Sequence, residues 1–328
     1  MKPDKKTQLW MYETMVKVRY FERRIADIYM EGKKPIFDLA KGPIPGEMHL
    51  ASGQEPPAVG VCAHLQKDDV LTAGHRLHHF AIAKGVRLRP MTAEIFGKAA
   101  GLSGGRGGHM HLIDPICNFS ASGIVAEGMA PAAGAALCFK MRKEPRVGVS
   151  IVGEGAANAG VFHETMNIAA LWKLPFVCVI EDNSWGITVA KTTSTSVPRN
   201  DVRARSYGIP GAYVAGNDPF EIYSVVGAAV QRARAGGGPS LIEVETWRYD
   251  GHFQGDTEGY RPNGEKDGLL ARDPIPAMRA RILSGRTASE EEVKAAEECA
   301  RLAVDDALEF ARESPLPEPD DALKCVYA

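Results

Sequence analysis

Two polar stretches that each follow an apolar run could hold a metal ion. Glu154 comes after the run at residues 147–152, and Asp182 and Asn183 come after the run at residues 176–180. Both runs predict buried parallel strands, and the carboxyl ends of such strands form the crevice in which open α/β sheets bind ligands. Carboxylate and amide oxygens beside a phosphate suit Mg²⁺. The sequence therefore predicts a magnesium-bound diphosphate at this sheet edge.

The elements that position these oxygens form one βαβ unit over residues 147–188. Gly153 and Gly155 permit a sharp turn after the first strand, and residues 158–172 carry apolar side chains at helical spacing. Pro175 closes the helix before the second strand. A parallel pair with a crossover helix is typical of a doubly wound sheet.

A nicotinamide dinucleotide site is the main alternative for this unit. An acid, Glu181, stands at the end of the second strand, as it does in dinucleotide-binding folds. The dinucleotide fingerprint requires a third glycine where this chain has Asn158, and that mismatch disfavours it. A second alternative, a non-catalytic regulatory protein, is disfavoured because Arg76, Glu154, Asn183 and His252 are all present together.

A dense basic cluster lies between a short apolar segment and a helix. It contains His75, Arg76, His78 and His79. These side chains would repel one another if all were charged, so an anionic ligand is their natural compensation. A solvated basic face is the alternative interpretation.

The order Gly153-Glu154-Gly155 followed by Asp182-Asn183 resembles the thiamine-diphosphate signature of the alpha subunits of 2-oxo acid and acetoin dehydrogenase complexes. The resemblance extends over nearly the whole chain. It implies that Glu154, Asn183 and the main-chain carbonyl of Trp185 bind Mg²⁺. Glu154 stands where aspartate is usual and Asp182 where the first asparagine is usual.

The same resemblance assigns roles to further motifs. The HRLHH run is similar to a segment whose arginine contacts the diphosphate, so Arg76 is the expected anchor and His78 a candidate to meet the substrate. His49 precedes a Gly-Gln-Glu motif and is expected to reach the active centre, and His252 is the expected active-site histidine near the diphosphate. The implied catalytic residues are His49, His78 and His252, and the implied cofactor-binding residues are Arg76, Gly123, Val125, Gly153, Glu154, Gly155, Ala156, Asn183 and His252.

Three further positions depart from the family pattern or have no assigned role. Phe253 replaces a serine beside His252 and is expected to narrow the pocket or line it with an apolar wall. His109 replaces a serine in the glycine-rich loop whose Gly107, Gly108 and His111 are expected to shape the site. Glu127 receives no role.

The resemblance also implies a substrate and partners. Because the HRLHH run is closest to acetoin-type subunits, acetoin is the first expected substrate and pyruvate the second, with a branched-chain 2-oxo acid as a further alternative. The glutamate that activates the cofactor is expected on a beta subunit, in an assembly of two alpha and two beta chains. The acyl group is expected to pass to a lipoyl-bearing acyltransferase.

Composition excludes other classes of partner. Lys and Arg number 39 against 41 acidic residues, for a net charge of −2, so no overall field recruits nucleic acid or membrane. The chain has no run approaching the roughly 20 apolar residues of a membrane helix, and its six cysteines show no metal-binding spacing. We expect a cytoplasmic protein.

The whole chain predicts one α/β domain, residues 1–328, with a mainly parallel doubly wound sheet and helices on both faces. Its helical N- and C-terminal extensions are expected at residues 8–32, ended by Gly32 and Pro35, and from Ser289 to about residue 312. Residues 191–205 and 252–272 are expected to be mobile active-site loops.

Overall fold

The computed structural model describes residues 1–33 and 37–324 of the chain. Pro35, expected to end the first helix, and Cys325 lie outside these residues. The helices in the described part are α1 Lys5–Tyr29, α2 Glu55–Cys62, α3 His78–Lys84, α4 Leu88–Ile95, α5 Met129–Arg142, α6 Gly160–Leu171, α7 Lys191–Ser194, α8 Pro219–Arg234, α9 Glu265–Leu270, α10 Pro274–Ser284 and α11 Glu290–Glu313. The strands are β1 Val70–Ala73, β2 Ile113–Asp114, β3 Phe119–Ala121, β4 Gly148–Gly153, β5 Phe176–Asp182, β6 Trp185–Gly186, β7 Val189–Ala190, β8 Gly211–Val214 and β9 Ser240–Glu245.

A seven-stranded sheet lies at the centre, in the order β2-β3-β1-β4-β5-β9-β8. All its neighbouring strands pair in parallel except β2, which runs antiparallel to β3 at one edge. This confirms the predicted mainly parallel sheet. The second, small sheet is the hairpin of β6 and β7.

Helices cover both faces of this sheet. Along β5, Val177 and Val179 point into one apolar cluster, while Phe176, Cys178 and Ile180 point into another. The first cluster includes side chains of α2 and α8, and the second includes side chains of α5 and α6. A strand that alternates between two buried faces reads as a continuous apolar run, which is the pattern that the sequence carries.

The strand register places the predicted ligands together. Gly153 of β4 lies opposite Glu181 of β5, and Asp182 lies opposite Glu245 of β9. Glu154 and Asn183, each one residue past its strand, therefore lie at the same carboxyl edge.

The terminal helices pack together on one side. Tyr12 on α1 donates a hydrogen bond from its hydroxyl to Glu297 on α11 at 2.6 Å. The predicted cap of α11 is confirmed, since Ser289 and Glu292 form a reciprocal capping box. No helix in the described ranges is long and apolar enough to cross a membrane.

Two stretches differ from their expected form. Residues 191–205 contain α7 and the start of a 3₁₀ helix, Asn200–Tyr207, and α9 lies within residues 252–272. The mobility of both segments stays a prediction.

Candidate functional site

A cavity of about 380 Å³ lies beyond the carboxyl ends of β1, β4 and β5. The loop after β1 supplies its basic wall, and the turns after β4 and β5 supply its acidic wall. Its lining includes these predicted site residues: Arg76, Val125, Gly153, Glu154, Gly155, Ala156, Asn183, Trp185 and His252.

Glu154 is a buried carboxylate that lacks a cationic partner. It is 2% exposed, and within the described residues it forms no ion pair. Burial, with the nearby Asp182 charge, raises the pKa of Glu154 to about 7. A cation that binds beside such a buried carboxyl group stabilises its ionised form.

Asn183 is held beside Glu154 by a tight turn. Its main-chain N–H lies close enough to the Glu154 carboxyl to oppose the rise in that group's pKa, and its side-chain NH₂ donates to Gln54 Oε1 at 3.1 Å. The amide oxygen accepts from the Trp185 N–H at 3.2 Å, and Ser184 between them has a φ of 70°. These contacts orient the Asn183 oxygen, which retains a second lone pair for a ligand.

Asp182, by contrast, has its charge compensated. One oxygen accepts from the Ser184 N–H at 2.9 Å, and the other pairs with Lys191. Lys191 also pairs with Glu243 at 2.8 Å, and Glu243 accepts from the Asn200 main-chain N–H at 2.6 Å. This network ties residues 191–201 to the sheet.

Arg76 is a buried cation aimed into the opposite wall. Its guanidinium donates to the carbonyls of Leu50 and His252, the latter at 3.0 Å, and among the described residues it forms no ion pair. Burial and the nearby Arg248 lower the pKa of Arg76 to about 10. An anion bound in the cavity would stabilise the charged guanidinium of Arg76 and so offset the effect of its burial.

Three imidazoles converge beside Arg76. His49, His75 and His252 each offer a nitrogen, and these nitrogens lie within 4.8 Å of one another. Burial, with Arg76, lowers the pKa of His75 to about 3 and that of His252 to about 4, so both are neutral at pH 7. Neutral imidazoles suit a transition metal, but the adjacent fixed positive charge favours an anion or a polar substrate instead.

The structure gives His78 and His79 positions behind the cavity wall. His78 has no exposed surface, and its Nδ1 contacts Glu22 on α1 at 3.1 Å. His79 contacts Glu181 at 2.9 Å, as a structural histidine would. The expected direct contact of His78 with substrate therefore does not match its position.

Of the remaining expected residues, some lie at the cavity wall and others pack outside it. Gly123 adjoins Ile124 and Val125, which line the cavity mouth and are about 60% exposed. Phe253 packs on Phe37, with ring centroids 6.3 Å apart, and does not line the cavity. The expected apolar wall beside His252 is thus absent from the described lining.

Sequence reasoning assigned no role to Gln54, Lys191, Arg248 or Glu22. Gln54 and Arg248 line the cavity, and Arg248 donates weakly to the carbonyls of Trp185 and Ile187. The sequence did indicate that a cation such as Lys191 is needed, because position 182 carries an acid where an amide is usual, and a buried acid requires a cationic partner.

Comparison with protein-family models gives the following match. The model described as "Dehydrogenase E1 component" matches residues 28–320.

Three similar proteins cover nearly the whole chain. The alpha subunit of acetoin:2,6-dichlorophenolindophenol oxidoreductase from Bacillus subtilis is 39% identical over 97% of this chain and 93% of its own length. The subunit of the same description from Cupriavidus necator is 37% identical over 99% of this chain and 95% of its own length. The pyruvate dehydrogenase E1 component subunit alpha of Porphyra purpurea is 37% identical over 98% of this chain and 92% of its own length.

Proposed function

Since the chain belongs to the dehydrogenase E1 component family, we propose that it is the alpha subunit of a thiamine-diphosphate-dependent dehydrogenase that cleaves acetoin. Pyruvate is the second candidate substrate, in keeping with the similar pyruvate dehydrogenase subunits, and a branched-chain 2-oxo acid is the third. Membership of the family implies the thiamine diphosphate cofactor. Mg²⁺ as its metal, and a cytoplasmic location, belong to the proposal.

The observation that carries this proposal is a pair of uncompensated buried charges on opposite walls of one cavity. Arg76 is a cation without an acidic partner in the described residues, and Glu154 is an acid without a basic one. A metal ion bound to a diphosphate neutralises both at once, because the metal meets the carboxylate and a phosphate oxygen meets the guanidinium.

The residues present fit such a group. Glu154, Asn183 and the Trp185 carbonyl would supply the metal with oxygens, which is the ligand type that Mg²⁺ takes. Gly153 and Gly155 place no side chain at the bottom of the cavity. A Cβ on Gly153 would meet no atom within 4 Å, so a phosphate can approach the backbone of this turn closely.

When bound, the cofactor supplies a nucleophilic carbon and an electron sink for cleavage beside a carbonyl. The chain's own part is to anchor the diphosphate through Arg76, to orient it on Glu154 and Asn183, and to present His49, His75 and His252 to the reacting end. Asn158 argues against a nicotinamide, because its amide is occupied by Thr195 at 2.9 Å and by Arg203 at 2.6 Å.

A beta chain would complete the site. Family membership as an alpha subunit suggests this partner, and exposed apolar side chains at the cavity mouth support it. Ile124, Val125 and Ile187 are 63%, 60% and 58% exposed. We propose that the beta chain covers this rim in an assembly of two alpha and two beta chains and that a lipoyl-bearing acyltransferase accepts the acyl group.

The test is to reconstitute the chain with its beta subunit and to compare kcat/KM for acetoin, pyruvate and 3-methyl-2-oxobutanoate with an artificial electron acceptor. We expect the order acetoin, then pyruvate, then the branched acid. A preference of more than about tenfold for the branched acid, about 1.4 kcal/mol, would overturn the small-substrate proposal. Full turnover by the chain without a beta subunit would overturn the two-chain site.

A further inference from the structure

A row of four buried side chains runs from α1 to the histidines of the cavity. Glu22 on α1 contacts His78 Nδ1 at 3.1 Å. The His78 ring lies edge-on to the His109 ring, with centroids 5.4 Å apart, and His109 Nε2 lies 3.1 Å from His49 Nδ1. His49 in turn packs on the rings of His75 and His252. The row therefore links a buried carboxylate to the active centre.

The two unpartnered nitrogens in this row belong to neighbouring rings. His78 Nε2 and His109 Nδ1 are both buried without a hydrogen-bond partner in the described residues. Both are satisfied together if one carries the proton and the other the lone pair, either in direct contact after a small rotation or through one bridging water.

The carboxylate at the far end decides which nitrogen carries the proton. Because Glu22 accepts from His78 Nδ1–H, neutral His78 presents a lone pair at Nε2. His109 then presents its proton at Nδ1 and a lone pair at Nε2. His49 consequently donates from Nδ1. Its Nε2 lone pair is left on the side of His75 and His252, which line the cavity and whose nitrogens lie within 4.8 Å of a His49 nitrogen.

We propose that Glu22, His78 and His109 form a positioning relay that holds His49 as a proton acceptor for the carbinol hydroxyl of a 2-hydroxy ketone substrate. The proposal rests on the function proposed above and deepens it. When acetoin is cleaved, the carbinol O–H gives its proton to His49 Nε2, the C–O bond becomes C=O, and the adjacent C–C bond breaks. Its electron pair passes to the electron sink that the cofactor supplies, and acetaldehyde leaves.

The relay distinguishes acetoin from the two 2-oxo acid candidates. A 2-oxo acid loses CO₂ from a carboxylate that is already ionised, so its C–C cleavage needs no such base. The imidazolium formed on His49 would be stabilised from two sides, by Glu22 through the relay and by Glu47, whose carboxylate lies 3.9 Å from Nε2. Burial, followed by the charges of His75, Arg76, His109 and His252, holds the pKa of His49 well below its usual range without ligand, and bound diphosphate offsets the Arg76 charge.

The first test reads the tautomer itself. ¹⁵N spectra of the full-length chain labelled at histidine, with His49→Gln and His109→Gln used for assignment, separate protonated from lone-pair nitrogens. We expect a lone-pair Nε2 on His49 with and without thiamine diphosphate and Mg²⁺. A protonated Nε2 on neutral His49 would overturn the proposal. This outcome does not depend on whether the complex turns over.

The second test compares two reactions in the reconstituted complex. His109→Ala should lower kcat for acetoin by about 100-fold while changing pyruvate decarboxylation by less than about threefold. His109→Gln should recover most of the loss, since its carbonyl can accept from His49 and its NH₂ can donate to His78. His163→Gln, on the exposed face of α6, is the matched control and should change neither reaction.

Equal losses for both substrates, or no loss for acetoin, would overturn the relay. If His109→Ala does not fold, His109→Gln and the tautomer of His49 still decide the question. A wild-type complex that cleaves neither substrate would count against the proposed function alone.

Discussion

Two neighbouring acids at the same sheet edge, Glu154 and Asp182, have opposite electrostatic environments. Asp182 is paired with Lys191 and accepts from a main-chain N–H, whereas Glu154 forms no ion pair in the described residues and burial raises its pKa to about 7. The difference separates a structural acid from a ligand-binding one. The protein supplies the counter-charge for Asp182 and leaves that of Glu154 to a ligand.

Removing the uncompensated acid should have the largest effect. Glu154→Ala is expected to weaken Mg²⁺-dependent binding of thiamine diphosphate by more than about 100-fold, because the metal loses its only charged protein ligand among the three proposed. Calorimetric titration measures it, and Asn183→Ala should behave in the same direction. Glu164→Ala, an exposed acid on the following helix, is the control. Undiminished binding in Glu154→Ala would remove the proposed metal site.

Removing Lys191, the cation paired with Asp182, should lower the stability of the fold and not the affinity for the cofactor. Lys191→Met leaves Asp182 and Glu243 buried without their shared partner, and we expect a loss of about 2–4 kcal/mol in the free energy of unfolding. Urea denaturation checks this. Lys294→Met, at an exposed i,i+4 pair, should change stability by less than about 0.5 kcal/mol. Equal effects of the two substitutions would show that the network does not anchor residues 191–201.

The raised pKa of Glu154 predicts a pH dependence. Below pH 7 the carboxyl must release a proton before it binds a metal, so the affinity should fall about tenfold per pH unit as the pH drops below 7, and level off above it. Without cofactor, the unfolded chain binds fewer protons than the folded chain between pH 4.5 and about 7. This group therefore lowers stability as pH rises through that window. Affinity that stays constant between pH 6 and 8 would contradict the assignment.

The smallest effect is expected from neutralising the compensated acid. Asp182→Asn restores the residue usual in the family and should change cofactor affinity by less than about threefold, since Asp182 is not proposed as a metal ligand. Its unfolding free energy should fall modestly, because Lys191 keeps Glu243. A loss of affinity as large as that of Glu154→Ala would erase the distinction between the two acids.

The sequence predicted the βαβ unit and the placement of Glu154 and Asn183 well, because local periodicity and glycine turns determine them. It also anticipated the basic wall, since Arg76 and His75 are neighbours in the chain. These features depend on short sequence separations, which pattern reasoning captures.

The parts that it missed depend on long-range contacts. Glu22 meets His78, and His109 meets His49, across more than 50 residues, so no local pattern pairs them. The contact between Phe253 and Phe37 likewise turns a residue expected at the pocket wall away from it.

The most direct test of the central claim, that the uncompensated Glu154 and Arg76 hold a metal-bound diphosphate, is a crystal structure of the alpha and beta chains with thiamine diphosphate and Mn²⁺. Anomalous scattering locates the ion. We predict that it binds Glu154, the Asn183 amide oxygen and the Trp185 carbonyl at about 2.1–2.2 Å, with the diphosphate reaching Arg76. An ion bound instead by His49, His75 and His252, with Glu154 still unliganded, would contradict the account.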